Sequence, residues 1–175
     1  MTLSLTDLQR LAGTTGFRAD TLEKVLLLLD LLDAIRAHPY SGPRVALKGG
    51  TALNLFALDV PRLSVDIDLN YVGAVDRATM ETERPDVERG LQAACERIGL
   101  TVKRVPTDHA GGKWRLSFVA AAGGTGTLEL DVNYMLRTPL WPVYVQTPSA
   151  LPGIPPHGSF PLLDPHELAA GKLAA

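Results

Sequence analysis

Cysteine is nearly absent: Cys95 is the only one in 175 residues. That excludes an intramolecular disulfide and a structural zinc site built on several thiolates, and a reducing cytoplasm is the simplest setting. The four histidines, His38, His109, His157 and His166, show no metal-ligand spacing. A dominant charge is also missing. Lys and Arg total 17 against 19 Asp and Glu, for a net charge of −2, so no global basic field is available to hold nucleic acid. Contacts of that kind must use local basic residues or a metal. The N-terminus lacks a basic region followed by a long apolar stretch, so no signal peptide is expected. The most apolar run, VLLLLDLLDAI at 25–35, is interrupted by Asp30 and Asp33 and falls short of the roughly 20 residues of a membrane span. It reads as a buried helix, and no membrane partner is expected. What is present is core material: 46% hydrophobic and 21% charged residues rule out an intrinsically disordered chain.

Hydrophobic periodicity predicts an α+β chain, with a mixed or antiparallel sheet flanked by helices. Thr6 is placed to cap a short helix over DLQRLAG, and Asp20 or Thr21 to start a longer one ending near Ala37. RVALK reads as a strand that stops at Gly49–Gly50 and passes into a short helix over TALNLF. LSVDIDLNYV then alternates strictly, with Leu63, Val65, Ile67, Leu69 and Tyr71 on one face and Ser64, Asp66, Asp68 and Asn70 on the other. After a polar connection over 73–84, Pro85 is expected to open a helix ending at Gly99. LTVKRV, WRLSFVA and TLELDVNYM follow as an antiparallel meander, joined at HAGGK and AGGTG. Residues 138–165 hold eight of the thirteen prolines and read as a wrapping loop with one edge strand at VYVQ. Asp164, Pro165 and Glu167 mark a strong helix start. The expected organisation is N-terminal helices over 1–40, a core over 41–137, the proline-rich loop over 138–165, and the start of a C-terminal helical region over 166–175.

Asp66 and Asp68 are the strongest chemical feature. Residues i and i+2 of a strand share a face, roughly 6.6–6.8 Å apart along it. Two such carboxylates can share a divalent cation or hold two for phosphoryl transfer, and oxygen ligands of this kind suit magnesium. A solvated strand face is the plain alternative, but adjacent like charges destabilise one another unless something neutralises them. Gly49, Gly50 and Thr51 lie between strand and helix, where the backbone can approach a phosphate; an ordinary tight turn would look the same. Lys48 and Ser64 are candidate phosphate donors beside it. Asp131 is the candidate third carboxylate, as metal ligand or general base, if its strand pairs beside 63–71; Glu129 is its runner-up. Lys172, on the last helix, could neutralise triphosphate charge. Arg62, Lys103, Arg104, Lys113 and Arg115 are scattered over strands and turns and read as a solvated edge, with a modest local nucleic-acid surface as the alternative.

KGGTALNLF (48–56) followed by RLSVDIDLNYV (62–72) resembles the paired signature of the AbiEii/AbiGii-type toxin nucleotidyltransferases, MenT-like toxins included, within the DNA polymerase β-like superfamily. HELAAGKLAA (166–175) is similar to the family's lysine-bearing helix. The resemblance implies a nucleotidyltransferase core with a mixed sheet, Mg²⁺-dependent (or Mn²⁺-dependent) use of a nucleoside triphosphate, and a toxin role opposed by an antitoxin of AbiEi type. For MenT-like members the implied acceptor is the tRNA 3′ end, whose modification blocks translation. By motif, Asp66 and Asp68 match the family's aspartates, Ser64 its active-site serine, Lys172 its essential lysine, and Gly49 and Gly50 its nucleotide-binding turn. Family members continue into a helical region with a further aspartate, which the sequence to Ala175 does not contain. The expectations are a fragment, a part completed elsewhere, or a shortened relative with impaired activity. The competing functional classes are a nucleotide- or antitoxin-binding module and a haloacid-dehalogenase-like phosphatase; Asn70 and Leu69 after the second aspartate disfavour the latter.

Overall fold

The structure, a computed structural model, describes residues 3–58, 62–106 and 111–173. Pro61, and His109 and Ala110 of the HAGGK turn, lie outside these residues. Helix α1 (Leu5–Thr15) is capped by Ser4, whose hydroxyl accepts from the Asp7 amide, and ends at Gly16 with φ +76°. Ser4 rather than Thr6 is the cap because the helix begins earlier than the leucine spacing suggests. Helix α2 (Ala19–Arg36) buries nine residues around its circumference, which accounts for the near-continuous leucines of 25–35: it packs on the sheet, on α1 and on a later helix. No described helix is long and apolar enough to cross a membrane.

Strand β1 (Val45–Lys48) runs directly into α3 (Gly49–Ala52), which continues as one π-helical turn over Leu53–Ala57. Strand β2 (Asp66–Tyr71) is shorter than the alternation predicted, starting at Asp66 rather than Leu63. Helix α4 (Arg77–Arg97) corrects the expectation that Pro85 opens a helix. Asp76 caps it by accepting from the Thr79 amide, and Pro85 lies inside it. The turns before the proline are anchored from outside: Met80 is buried, and Glu83 accepts from Arg44 and from the Tyr71 hydroxyl. These contacts offset the backbone hydrogen bond that a proline removes.

The meander is present as β3 (Thr101–Val105), β4 (Gly112–Val119) and β5 (Thr125–Asn133). Glycines 123 and 124, both at positive φ, close the β4–β5 turn. Within the proline-rich segment, β6 (Tyr144–Gln146) is the expected edge strand. A second strand there, β7 (Phe160–Leu162), was not foreseen. It sits between β1 and β6 despite Pro161, because its ladder to each neighbour is short and Phe160 and Leu162 point into the core. Helix α5 (Pro165–Leu173) starts as predicted, with Asp164 accepting from the His166 amide at 2.8 Å. Glu167, however, accepts from the Leu140 amide instead of closing a capping box.

The result is a mixed α+β fold with a seven-stranded sheet in the order β3-β4-β5-β2-β1-β7-β6. The β2–β5 and β1–β7 pairs are parallel; the others are antiparallel. One sheet face, with Ile67, Leu69, Tyr71, Trp114, Leu116, Leu128 and Leu130, belongs to the main core shared with α2 and α4. Helix α3 packs against β1 and β2, and α5 packs against α3.

Candidate active site

The glycine turn and the second aspartate meet. Antiparallel pairing sets Lys48 directly opposite Asp68, and the chain then turns through Gly49 at φ +74°. A methyl group on Gly49 would collide with Asp68 Oδ2 and lie 3.1 Å from its Cβ and Cγ. Glycine is thus required twice, for the left-handed backbone and for the carboxylate resting on it. At Gly50 a methyl group would lie 3.2 Å from Ser64 Oγ, so the serine preceding β2 covers the second glycine. Asn54, one turn on, donates to the Gly50 carbonyl at 2.7 Å and holds the turn in shape.

Lys48, Gly49, Gly50, Asp68, Asn70 and Lys172 line one cleft of about 310 Å³, walled by Leu136, Leu163 and Leu168. Five sequence-predicted residues from four elements therefore converge. Leu168 is buried and anchors α5, leaving the exposed Lys172 one turn later at the rim. Thr51 has a different place. Its buried hydroxyl donates to the Asp66 carbonyl at 2.5 Å, so it pins the start of β2 and has no proton left for a phosphate.

Burial pushes the Asp68 carboxyl above the usual carboxylate range; Lys48 opposes this, while Asp131 and Asp66 add to it. Asp131 lies directly across the parallel β2–β5 ladder from Asp68, as Glu129 does from Asp66. The predicted adjacency of these strands is met. The expected third carboxylate, Asp131, is engaged by a cation. Lys113 on β4 places its Nζ 2.8 Å from Glu129 and 3.3 Å from Asp131, so an ammonium already neutralises the third carboxylate. Among the described residues no group of three or more His, Cys, Asp or Glu is arranged to hold a metal ion. Two carboxylates suffice for magnesium when substrate phosphates complete its shell, and Asp66 and Asp68 fit that chemistry as hard oxygen donors. A cation there would also relieve the like-charge crowding on Asp68.

Two further residues escaped the sequence reading. Asn70 is buried, donates its amide to the Leu136 carbonyl at 3.1 Å, and keeps its Oδ1 without a hydrogen-bond partner among the described residues. It is the third polar position of the D-x-D-x-N alternation, which was the available signal. Lys113 was grouped with scattered cations because its carboxylate partners come from another strand.

The comparisons with known proteins agree with this architecture. The family model described as "Nucleotidyl transferase AbiEii toxin, Type IV TA system" matches residues 30–175. No curated protein matches the sequence significantly. Among solved structures, MenT4, the nucleotidyltransferase toxin Rv2826c from Mycobacterium tuberculosis H37Rv, superposes with a TM-score of 0.61 at 21% identity. The match covers 95% of this chain and 57% of the MenT4 chain, so the chain spans little more than half of that protein's length.

Proposed function

Because the chain belongs to the AbiEii family of nucleotidyl transferase toxins of Type IV toxin–antitoxin systems, we propose that its cleft binds a nucleoside triphosphate and a divalent cation for nucleotidyl transfer to RNA. The observation that carries the proposal is the Asp68 carboxylate lying on Gly49 while Lys48 and Lys172 line the same cleft. Carboxylates select a cation, and lysines at a glycine turn select phosphate. In the reaction, a terminal RNA hydroxyl attacks the α-phosphorus of the triphosphate. A phosphodiester bond forms, the bond from the α-phosphorus to the bridging β-phosphate oxygen breaks, pyrophosphate leaves, and the hydroxyl's proton is released to solvent.

Each residue has a defined task. Asp66 and Asp68 would hold Mg²⁺ or Mn²⁺, which supplies charge neutralisation of the phosphates when bound. Gly49 and Gly50 let phosphate oxygens approach the backbone, and Ser64 adds a hydroxyl donor at Gly50. Lys48 and Lys172 supply fixed positive charge for the leaving pyrophosphate, the electrostatic contribution that usually dominates such catalysis. Asp131 is held by Lys113 and serves the charge balance of the sheet face. The acceptor is proposed to be the tRNA 3′ end, the setting the cytoplasm, and the controlling partner an antitoxin of AbiEi type.

The test combines binding and transfer. Mn²⁺ binding followed by electron paramagnetic resonance with nucleotide present should be lost in the Asp66→Ala, Asp68→Ala double variant. Total tRNA incubated with Mg²⁺ and each α-labelled triphosphate should acquire label. Equal Mn²⁺ binding by the double variant refutes the site. Nucleotide binding without labelling by any triphosphate favours a binding module over an enzyme.

A further inference from the structure

Beyond the cleft, the sheet continues as a polar face across β5, β4 and β3. The register lines its charges up in rows perpendicular to the strands. One row reads Asp66, Glu129, Arg115, Lys103, each residue directly opposite the next. The row beside it reads Lys48, Asp68, Asp131, Lys113. A third places Thr127, Ser117 and Thr101 side by side. With neighbouring strands about 4.8 Å apart, each long row crosses from carboxylates to cations in two strand spacings.

The cations differ in what they already hold. Arg104, between Lys103 and Val105, turns to the helix side, where it pairs with Glu88 at 3.0 Å and lies over the Trp114 ring. Lys113 is committed to Glu129 and Asp131. Among the described residues Arg115 has only a 3.9 Å ion-pair contact, with Glu129, and its side chain is 56% exposed. Lys103 is exposed and forms no ion pair among the described residues. Fold stability gives no reason to put these two charges directly opposite each other, since like-charged cross-strand neighbours repel. An anion bound between them removes that cost.

We propose that Arg115 and Lys103, flanked by the hydroxyls of Ser117 and Thr101, form a backbone-binding track for the acceptor RNA. The strand would run along the row toward Asp66, presenting its terminal hydroxyl at the cleft. The assignment rests on the nucleotidyltransferase reading above and adds where the acceptor lies. The change of sign along the row fits an acceptor whose backbone is anionic and whose reacting end is a neutral hydroxyl. The centre of this face is Lys, Arg, Ser and Thr, unlike the apolar centre of a protein–protein interface.

The experiment measures fluorescence anisotropy of a short 5′-labelled single-stranded RNA with a free 3′ hydroxyl, across a salt series. Wild type is compared with the Lys103→Ala, Arg115→Ala double variant, with Mn²⁺–nucleotide binding and thermal midpoint measured in parallel. Loss of two phosphate contacts lowers the slope of log K against log salt by about 1.4 and weakens binding at low salt by roughly 10-fold or more. An Arg18→Ala, Arg77→Ala variant, which removes exposed cations on α2's N-terminus and α4, should keep the wild-type slope. Mn²⁺–nucleotide binding and thermal midpoint should be unchanged in both. An unchanged slope in the double variant, an equal loss in the Arg18/Arg77 variant, or no RNA binding by wild type overturns the track. So does a double variant that binds RNA normally but loses an acidic protein partner. Failure of wild type to bind Mn²⁺ and nucleotide instead overturns the underlying reading of the cleft.

Discussion

Gly49 lies where backbone geometry and the Asp68 carboxylate meet, so Gly49→Ala separates two costs that are usually entangled. The first is conformational. A residue with a Cβ at φ +74° pays about 1–2 kcal/mol for left-handed backbone. The second is steric: the new methyl meets Asp68 Oδ2, with Asp68 Cβ and Cγ 3.1 Å away. The Asp68 side chain must leave its rotamer, at about 0.5–1.5 kcal/mol. Together these predict a loss of about 1.5–3.5 kcal/mol in urea unfolding. Gly16 supplies the control. It has nearly the same φ, +76°, and open space around it, so Gly16→Ala should pay only the first cost. The difference between the two variants measures the carboxylate's hold on the turn. Mn²⁺–nucleotide affinity should fall in Gly49→Ala and stay unchanged in Gly16→Ala. Adding Asp68→Ala to Gly49→Ala should recover the steric part of the stability loss. Equal destabilisation by the two glycine variants, with Mn²⁺ binding kept in both, would refute the account of the turn.

Three further outcomes are expected. Asp68→Asn should stabilise the metal-free chain by about 1 kcal/mol in thermal melts with EDTA while abolishing Mn²⁺ binding, because it removes a buried charge crowded by Asp66 and Asp131; a destabilised variant would contradict the raised carboxyl. Glu83 is held below its ordinary range by Arg44 and then by Tyr71. Its contribution is present above the unfolded value near 4.5 and is lost as pH falls through the lower folded value. Glu83→Gln should therefore cost about 1 kcal/mol at neutral pH, discounted for partial screening, with its melting curve converging on wild type once the pH has fallen through that lowered folded value; a gap that persists in acid would exclude the ion pair as the cause. Thr51→Val should lose about 1–2 kcal/mol by leaving the Asp66 carbonyl without its donor, and Thr51→Ser should restore most of it; equal losses in both variants would point to packing instead.

The family was legible in the primary structure. KGGTALNLF and RLSVDIDLNYV carried the resemblance, and the family model matching residues 30–175 agrees with it. Alternation in 63–72 and 128–133 marked strands with one polar face, because side chains alternate across a strand wherever only one side is buried. Capping chemistry located α5 from Asp164 and Pro165. Elsewhere local chemistry misled. Pro85 carries a strong helix-start signal, yet Asp76 caps first and Glu83 ties the preceding turns to Arg44 and Tyr71. Strand β7 has a proline at its centre and only three residues, so its existence depends on β1 and β6 being there to pair with.

What the sequence alone determined is the chemistry on offer: a glycine turn, two aspartates on one strand face, and a lysine on the last helix. Local periodicity and backbone preference suffice for that, since each involves residues within a few positions of one another. Which of these groups meet was decided only by tertiary structure. Parallel pairing of β2 with β5 set Asp131 beside Asp68, and antiparallel pairing of β4 with β5 then supplied Lys113 to neutralise it. The same ladders aligned Lys103 with Arg115 and sent Arg104 to the opposite side. Cross-strand register is a relation between segments distant in the chain, and ion pairs and metal sites form across that register.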